Sequence, residues 1–184
     1  MSDFYSNPGD FRQTDGPFAK QWYRSLDLIN WREPATNDIT AIATVVGGVL
    51  TKDTTPNLEY TNGDTDSALR LQWAASNVDP LVYQFCLPPD NDTGQPIYVD
   101  FLCKMGGTAD TPVLSLDTFF DTGDTKVEDD TTALGGTAAH IVTATIAAAD
   151  VPINAFTMSL EVTPGAHGTD TLEVYGIRVR GTRL

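Results

Sequence analysis

The sequence predicts an all-β protein, an antiparallel two-sheet β-sandwich of expected jelly-roll type carrying an irregular, aromatic-rich N-terminal arm. Three observations predict it. Phe156, Met158, Leu160 and Val162 alternate with Thr157, Ser159, Glu161 and Thr163. A period of two puts four apolar side chains on one strand face and four polar ones on the other. From residue 39 onward, eight or nine strand-like segments follow one another, separated by Gly, Pro, Asn and Asp turns, which is the spacing of a sandwich. The composition is rich in Thr and poor in Lys, which favours strand over helix.

Residues 1–38 read as the arm. They hold Phe4, Tyr5, Phe11, Phe18, Trp22, Tyr23 and Trp31, seven of the seventeen aromatic residues, and these must pack somewhere because leaving them in water is costly. Phe18, Trp22, Leu26 and Ile29 fall at helical spacing behind Pro17, which suits a first helical turn. The segment therefore reads either as a short helix over 17–29 or as irregular chain capping the sandwich. Its aromatics either close the open end of their own domain or dock on a neighbouring subunit.

Residues 39–184 read as the sandwich domain. Ile39 to Leu50 is apolar and β-branched, interrupted by Gly47-Gly48. Leu58 and Tyr60 precede Asn62-Gly63, a strong hairpin signal, and Leu69, Leu71 and Trp73 then alternate with Arg70 and Gln72, which places Trp73 in the core. Val82 to Leu87 ends at Pro88-Pro89; Ile97, Val99, Phe101 and Cys103 alternate with Tyr98, Asp100 and Lys104. Val113 to Phe120 precedes a long acidic loop from Asp121 to Gly136, and Ile141 to Ala148 follows it. The last two strands, separated by the turn Pro164-Gly165-Ala166-His167-Gly168, close the chain, and the odd step from Val174 to Ile177 around Gly176 predicts a β-bulge. Strand order is not legible, so fibronectin-like and carbohydrate-module sandwiches stand beside the jelly roll.

The totals bound the function. A chain of 184 residues suffices for one domain with a core. Its formal charge of -14, from 25 acids against 11 bases, repels nucleic acid and anionic membranes, so neither is expected as a partner. No run approaches the ~20 apolar residues of a membrane span, and Met1 to Ser6 lacks a signal peptide's charged and apolar regions. Synthesis in a cytosol is the expectation.

Chemistry-bearing constellations are sparse. His140 and His167 stand apart in sequence, and no nucleophile elbow or metal-ligand spacing surrounds them. No enzyme activity, metal or cofactor is expected. Cys86 and Cys103, on consecutive strands, read as reduced thiols able to face each other across a ladder. Asp90-Asn91-Asp92-Thr93-Gly94 has the look of a calcium loop, but its twelfth position is Phe101 rather than Glu. Asp121, Asp124, Asp129 and Asp130 form a second acidic cluster. Both read as solvated turns. Arg178, Arg180 and Arg183 form the one basic stretch, read either as a contact for an acidic neighbour or as an edge strand blunted by charge.

The strands Leu69-Arg70-Leu71-Gln72-Trp73 and Val82 to Pro88, with Thr145 to Pro152 and Met158 to Gly165 behind an aromatic arm, resemble structural proteins of tailed bacteriophages. The likeness is to β-sandwich capsid cement or decoration proteins and head-fibre proteins, and it covers most of residues 65–184. It implies a non-enzymatic virion protein, made in the host cytoplasm, that trimerises on the outer capsid surface and ties neighbouring capsomers together. Its partner would be the major capsid protein or another virion protein. On that expectation Phe4, Tyr5, Phe11, Phe18, Trp22, Trp31, Arg178, Arg180 and Arg183 are the candidate partner-binding residues. The alternative is a carbohydrate- or receptor-binding module of a phage fibre or tail, which predicts exposed tryptophans. A small glycan hydrolase, with two carboxylates roughly 5 to 9.5 Å apart in a cleft, ranks last.

Overall fold

The computed structural model describes residues 20–34, 49–51, 54–60, 68–123 and 125–184. Their regular structure is β1 (Gln21–Leu26), the single-turn 3-10 helix η1 (Leu28–Asn30), β2 (Asn57–Tyr60), β3 (Leu69–Trp73), β4 (Leu81–Cys86), β5 (Ile97–Met105), β6 (Leu114–Phe120), β7 (Lys126–Asp130), β8 (His140–Ile146), a second 3-10 turn η2 (Ala148–Asp150), β9 (Thr157–Pro164) and β10 (Leu172–Thr182). Two antiparallel sheets result. One runs β2-β3-β10-β5-β8, with β1 also paired to β10; the other runs β4-β9-β6-β7. From β3 to β6, and again from β7 to β10, successive strands alternate between the sheets, the connectivity of a jelly roll. The predicted sandwich is the fold. Among the described residues no helix is long and apolar enough to cross a membrane.

The core lies between the sheets and follows from the period of two. Ile97, Val99, Phe101, Cys103 and Met105 of β5 are buried against Met158, Leu160 and Val162 of β9, Leu114 and Leu116 of β6, and Leu172, Val174 and Val179 of β10. Trp73 is in this core, as its alternation predicts.

β10 organises the larger sheet. One of its sides pairs with β5 along most of its length, and the register shifts between Val174 and Gly176, the expected bulge. Its other side is shared: Leu172–Val174 pair with β3 and Ile177–Thr182 with β1. The basic C-terminal strand is thus central, not an edge strand blunted by charge. β9 and β10 do not pair with each other, because their connecting turn crosses from one sheet to the other.

Residues 20–34 correct the reading of the arm. In place of a helix over 17–29 the chain forms β1 and then η1. Trp22 and Leu26 are buried at positions four apart, a spacing that satisfies a helix and a strand equally. The unpaired flank of β10 decides between them, since β1 satisfies its backbone groups. Between them Arg24 sits at the sandwich rim, 5.1 Å over the Phe85 ring, and donates to the Cys86 carbonyl oxygen at 2.8 Å.

Trp22 lies against the backbone of Gly181, where an added Cβ would come within 2.7 Å of three indole atoms. Its Nε1 donates to Asn91 Oδ1 at 2.9 Å inside the protein, so the ring has little room to move. Gly181→Ala is expected to destabilise the fold by about 1–3 kcal/mol through overpacking, read as a lower denaturant midpoint. An unchanged midpoint would show that the indole can swing aside.

The crossover turn is held by its own polar groups. His167 is buried, with Nδ1 2.8 Å from the Gly165 carbonyl oxygen and Nε2 3.1 Å from that of Ala74. Asp110 Oδ2 accepts the backbone N–H groups of Thr169 and Asp170 at 2.7 Å each, and Asp170 Oδ2 accepts those of Ala109 and Asp110 at 2.7 and 3.0 Å. The N–H groups of Asp170 and Thr169 hold the Asp110 carboxyl below the usual carboxylate range. A further correction is β7, which lies within the stretch expected as a loop from Asp121 to Gly136 and extends the smaller sheet beyond β6.

Candidate functional site

The outer face of the four-stranded sheet carries a groove of about 390 Å³ lined by Asn30, Arg32, Val82, Gln84, Phe119, Ser159 and Glu161. Strand register builds it. Glu161 stands opposite Val82 on one side and Asp117 on the other, and Asp117 stands opposite Glu128. One step along, Gln84, Ser159, Phe119 and Lys126 form a second row. Rows two residues apart are separated by about 7 Å. The backbone of Tyr83 and Leu160 passes between them, where both residues line the groove.

The chain after η1 closes one end. Arg32 bridges to Val82: its N–H donates to the Val82 carbonyl oxygen at 3.0 Å, and its carbonyl oxygen accepts the return bond at 2.8 Å. Trp31 anchors this segment, fully buried with its ring 5.3 Å from Tyr83. Arg32 Nη1 donates to the carbonyl oxygens of Ile29 and Trp31 at 2.9 Å each, which fixes the guanidinium at the groove mouth.

The chemistry is that of recognition. Phe119 presents an aromatic ring from a strand that otherwise turns its bulk inward: Leu114, Leu116 and Phe120 are buried, whereas Phe119 is half-exposed. Among the described residues, the side chains of Asn30, Gln84, Ser159 and Glu161 make no hydrogen bond to one another or to a third residue. Burial and the charge of Asp117 push the Glu161 carboxyl up, against the opposing pull of Lys126. Lys126 itself pairs with Glu128 at 2.5 Å and Asp117 at 3.3 Å.

A larger groove, about 560 Å³, crosses the outer face of the six-stranded sheet at the β10 bulge. Its walls are chiefly Leu69, Leu102, Ile141 and the β1–η1 corner, and two of its charged groups, Asp100 and Arg178, are paired with each other. Asp100, only 6 % exposed, accepts Nη2 of Arg178 at 2.7 Å, Nε of Arg180 at 3.1 Å and the Thr143 hydroxyl at 2.8 Å. Arg180 lies 4.0 Å over the Tyr98 ring and Arg178 5.3 Å over that of Tyr23. The acidic neighbour expected for Arg178 and Arg180 is thus supplied from within the chain, by β5. Arg183 likewise pairs with Asp90 at 3.2 Å.

Burial raises the Asp100 carboxyl, but hydrogen bonds from Arg178, Thr143 and Arg180, with the charge of Arg180, outweigh it and leave the group below its ordinary value. A lowered folded-state value means stability that is present above the unfolded carboxylate range and lost as pH falls through the folded value. Asp100→Asn is therefore expected to be less stable than the native chain by about 1–3 kcal/mol at neutral pH. The difference should close at a pH where both carboxyls are protonated, as read from urea midpoints at the two pH values. A gap that persists in acid would assign the loss to packing.

The remaining expected site residues fall elsewhere. Trp22, Trp31 and Trp73 are all core side chains, so the exposed tryptophans expected of a carbohydrate-binding module are not present and Trp22 and Trp31 are not displayed to a neighbour. Phe4, Tyr5, Phe11 and Phe18 lie outside the described residues. Cys86 is exposed and Cys103 buried, both free and on different sheets, so they do not face each other across a ladder. Burial pushes the Cys103 thiol up to about 12. In the two acidic loops, Asp92 accepts the Gly94 N–H at 2.9 Å and Asp121 those of Phe156 and Thr157 at 2.8 and 2.9 Å. Among the described residues no group of three His, Cys, Asp or Glu is placed to hold a metal ion. Phe119, Gln84 and Glu161 do not stand out in the sequence as a site. Their one signal is Phe119 at an outward position of β6 while Thr118 turns inward, an inversion of the apolar-polar alternation.

No protein-family model matches the chain, and no curated protein matches it. Solved structures do. A xylan-binding module, CBM15, superposes with a TM-score of 0.54 at 11% identity, covering 89% of this chain and 98% of that one. Xylanase10C from Cellvibrio japonicus, in complex with xylopentaose, superposes at 0.50 with 11% identity over 87% of this chain and 28% of its own length. The chain thus spans under a third of that enzyme. The tailspike protein 4 of bacteriophage CBA120 superposes at 0.37 with 13% identity over 86% of this chain and 18% of that one, too low to carry an argument. At these identities the likeness is one of fold, the two-sheet β-sandwich shared with carbohydrate-binding modules.

Proposed function

We propose that the chain is a non-enzymatic carbohydrate-binding β-sandwich module and that the groove on its four-stranded sheet holds the sugar. The observation that carries this is the lining itself. A sugar ring offers an apolar face and a rim of hydroxyls. The groove offers an aromatic ring, Phe119, beside Asn30, Arg32, Gln84, Ser159 and Glu161. Ligand sites with few convergent polar groups on an apolar base have this form. Glycoside hydrolysis places its two carboxylates on either side of the scissile bond. Glu161 is the one carboxylate among the described residues that lines the groove, and its cross-strand neighbour Asp117 does not, which favours binding over cleavage.

The test is affinity electrophoresis of the whole chain against soluble polysaccharides. Xylan goes first because a fold neighbour is a xylan-binding module. Retardation by at least one neutral glycan is expected, and no retardation by any would sink the reading. The capsid-decoration role implied by the phage resemblance finds no supporting observation among the described residues. Placement of the module on a phage fibre or tail stays a proposal with its own check. A fibre trimer would have a solution mass three times the chain's 19.9 kDa, and a monomer by light scattering would remove it.

A further inference from the structure

Among the described residues the two sheets end in five flanking strands, and four of these are guarded against further pairing. β7, Lys126-Val127-Glu128-Asp129-Asp130, is charged along its length. β4 is bridged by Arg32 at Val82 and capped by the Arg24 guanidinium on the Cys86 carbonyl oxygen. β1 carries Arg24 in mid-strand, and β2 is four residues long with Glu59 among them. Charge, brevity and cover are the devices that keep a sheet edge from pairing with another chain. β8, His140-Ile141-Val142-Thr143-Ala144-Thr145-Ile146, has none of them. It is seven residues long, holds no Asp, Glu, Lys, Arg or Pro, and pairs with β5 on one side without a shift of register. No described strand pairs with its other side, so the backbone groups of alternate residues point outward there.

Two observations indicate what pairs with this edge. Residues 131–149 contain no Asp, Glu, Lys or Arg, in a chain where such residues make up 20%. On a protein of net charge -14, a charge-free flank is where two copies can approach without direct repulsion. The strand is also complementary to itself. Antiparallel pairing over its full length, about a two-fold axis at Thr143, sets Ile141 opposite Thr145 on the outer face and Val142 opposite Ala144 on the core face. Each time a larger side chain meets a smaller one, and no like charges stand opposite each other. Ile141 is 58 % exposed, and the pairing covers part of it.

We propose that β8 pairs with β8 of a second copy of the chain, joining the two larger sheets into one across a two-fold axis. That axis stands perpendicular to the joined sheet. Both four-stranded sheets therefore lie on one side of it, and both grooves face the same way. On the reading that the groove holds sugar, the dimer is bivalent toward a polysaccharide. One seven-residue ladder is less than the interface of a permanent dimer, so the association is weak and concentration-dependent. The acids of β7, which flanks β8 from the other sheet without pairing to it, weaken it further at low salt.

The experiment is sedimentation velocity of the whole chain over rising concentration, in low and high salt. The mass is expected to move from 19.9 kDa toward twice that value, and at lower concentration in high salt, which screens the repulsion between two acidic chains. A single-chain mass at every concentration overturns the proposal and leaves the edge to a strand of another protein. A mass of three chains, or a dimer that dissociates in salt, also overturns it. Two variants at exposed outer-face positions test the register. Ile141→Lys with Thr145→Lys brings lysines together on both sides of the axis and is expected to weaken the dimer about tenfold or more. Ile141→Lys with Thr145→Glu sets each lysine opposite a glutamate of the other copy and should recover most of that loss. Equal dimerisation of the two variants, or a dimer that neither changes, places the contact elsewhere and overturns the proposal. Sedimentation involves no sugar, so its failure leaves the groove reading as it stands.

Discussion

Removal of residues 1–38 is expected to abolish cooperative unfolding. Reading the sequence as arm plus domain predicts the opposite, because the cut falls before the first segment of the sandwich. The structure places Trp22, Leu26, Leu28 and Trp31 in the core that both sheets share. Each fully buried side chain of this size contributes roughly 1.5–3 kcal/mol, so the four together are worth on the order of 10 kcal/mol. That is comparable to the whole stability of a domain, about 5–15 kcal/mol. The cut also strips one flank of β10 from Ile177 to Thr182, leaving the central strand of the larger sheet with unpaired backbone groups. The measurement is thermal unfolding by circular dichroism of chains 39–184 and 20–184, the second retaining every described residue. A sigmoidal transition in the second and none in the first is the expected pair. Cooperative unfolding of 39–184 would restore the division at residue 38.

The contrast between β9 and β1 shows what was legible. β9 alternates without exception, and its burial alternates with it. The bulge was legible because an odd apolar step beside Gly176 can keep both flanking residues on the core face only by inserting one extra residue into the strand. β1 was not, because Trp22 and Leu26 fit both periods and only the flank of β10, more than 150 residues away, decides between them. β7 was hidden by its composition: Lys126-Val127-Glu128-Asp129-Asp130 has one apolar residue, and its partly buried Val127 packs at the core's edge. Pairing partners are non-local by nature, so the turn between β9 and β10 was legible as a turn but not as a crossover between sheets. The site was obscured for the same reason. Arg32, Gln84, Phe119 and Glu161 are far apart in sequence and meet only through register across three strands and a bridge. The arginines, conspicuous as a cluster in sequence, are answered by Asp100 on the adjacent strand for Arg178 and Arg180 and by Asp90 for Arg183.

Phe119→Ala is expected to lower affinity for the neutral glycan that retards the native chain by about tenfold or more. The reasoning is one of competition with water. Hydroxyls of a free sugar are already hydrogen-bonded to solvent, so exchanging those bonds for Gln84, Ser159 or Glu161 yields a modest net gain each. The apolar face of the ring has no such prior partner, and an aromatic surface removes it from water. Base–aromatic stacking, a comparable contact of a flat ring on an exposed face, is worth about 1–3 kcal/mol by alanine substitution, and 1.4 kcal/mol is a factor of ten. The fold should tolerate the change, because Phe119 is half-exposed and its strand is buried through Leu114, Leu116 and Phe120. Phe119→Tyr keeps a ring at the same place and should retain binding, which separates loss of stacking from loss of structure. Arg178→Ala, on the other sheet, should leave affinity unchanged. The readout is titration calorimetry of the three variants, with unfolding midpoints as a check on folding. If Phe119→Ala binds as the native chain does, the sugar does not lie in this groove. A loss at Arg178→Ala instead would move the site to the groove at the β10 bulge.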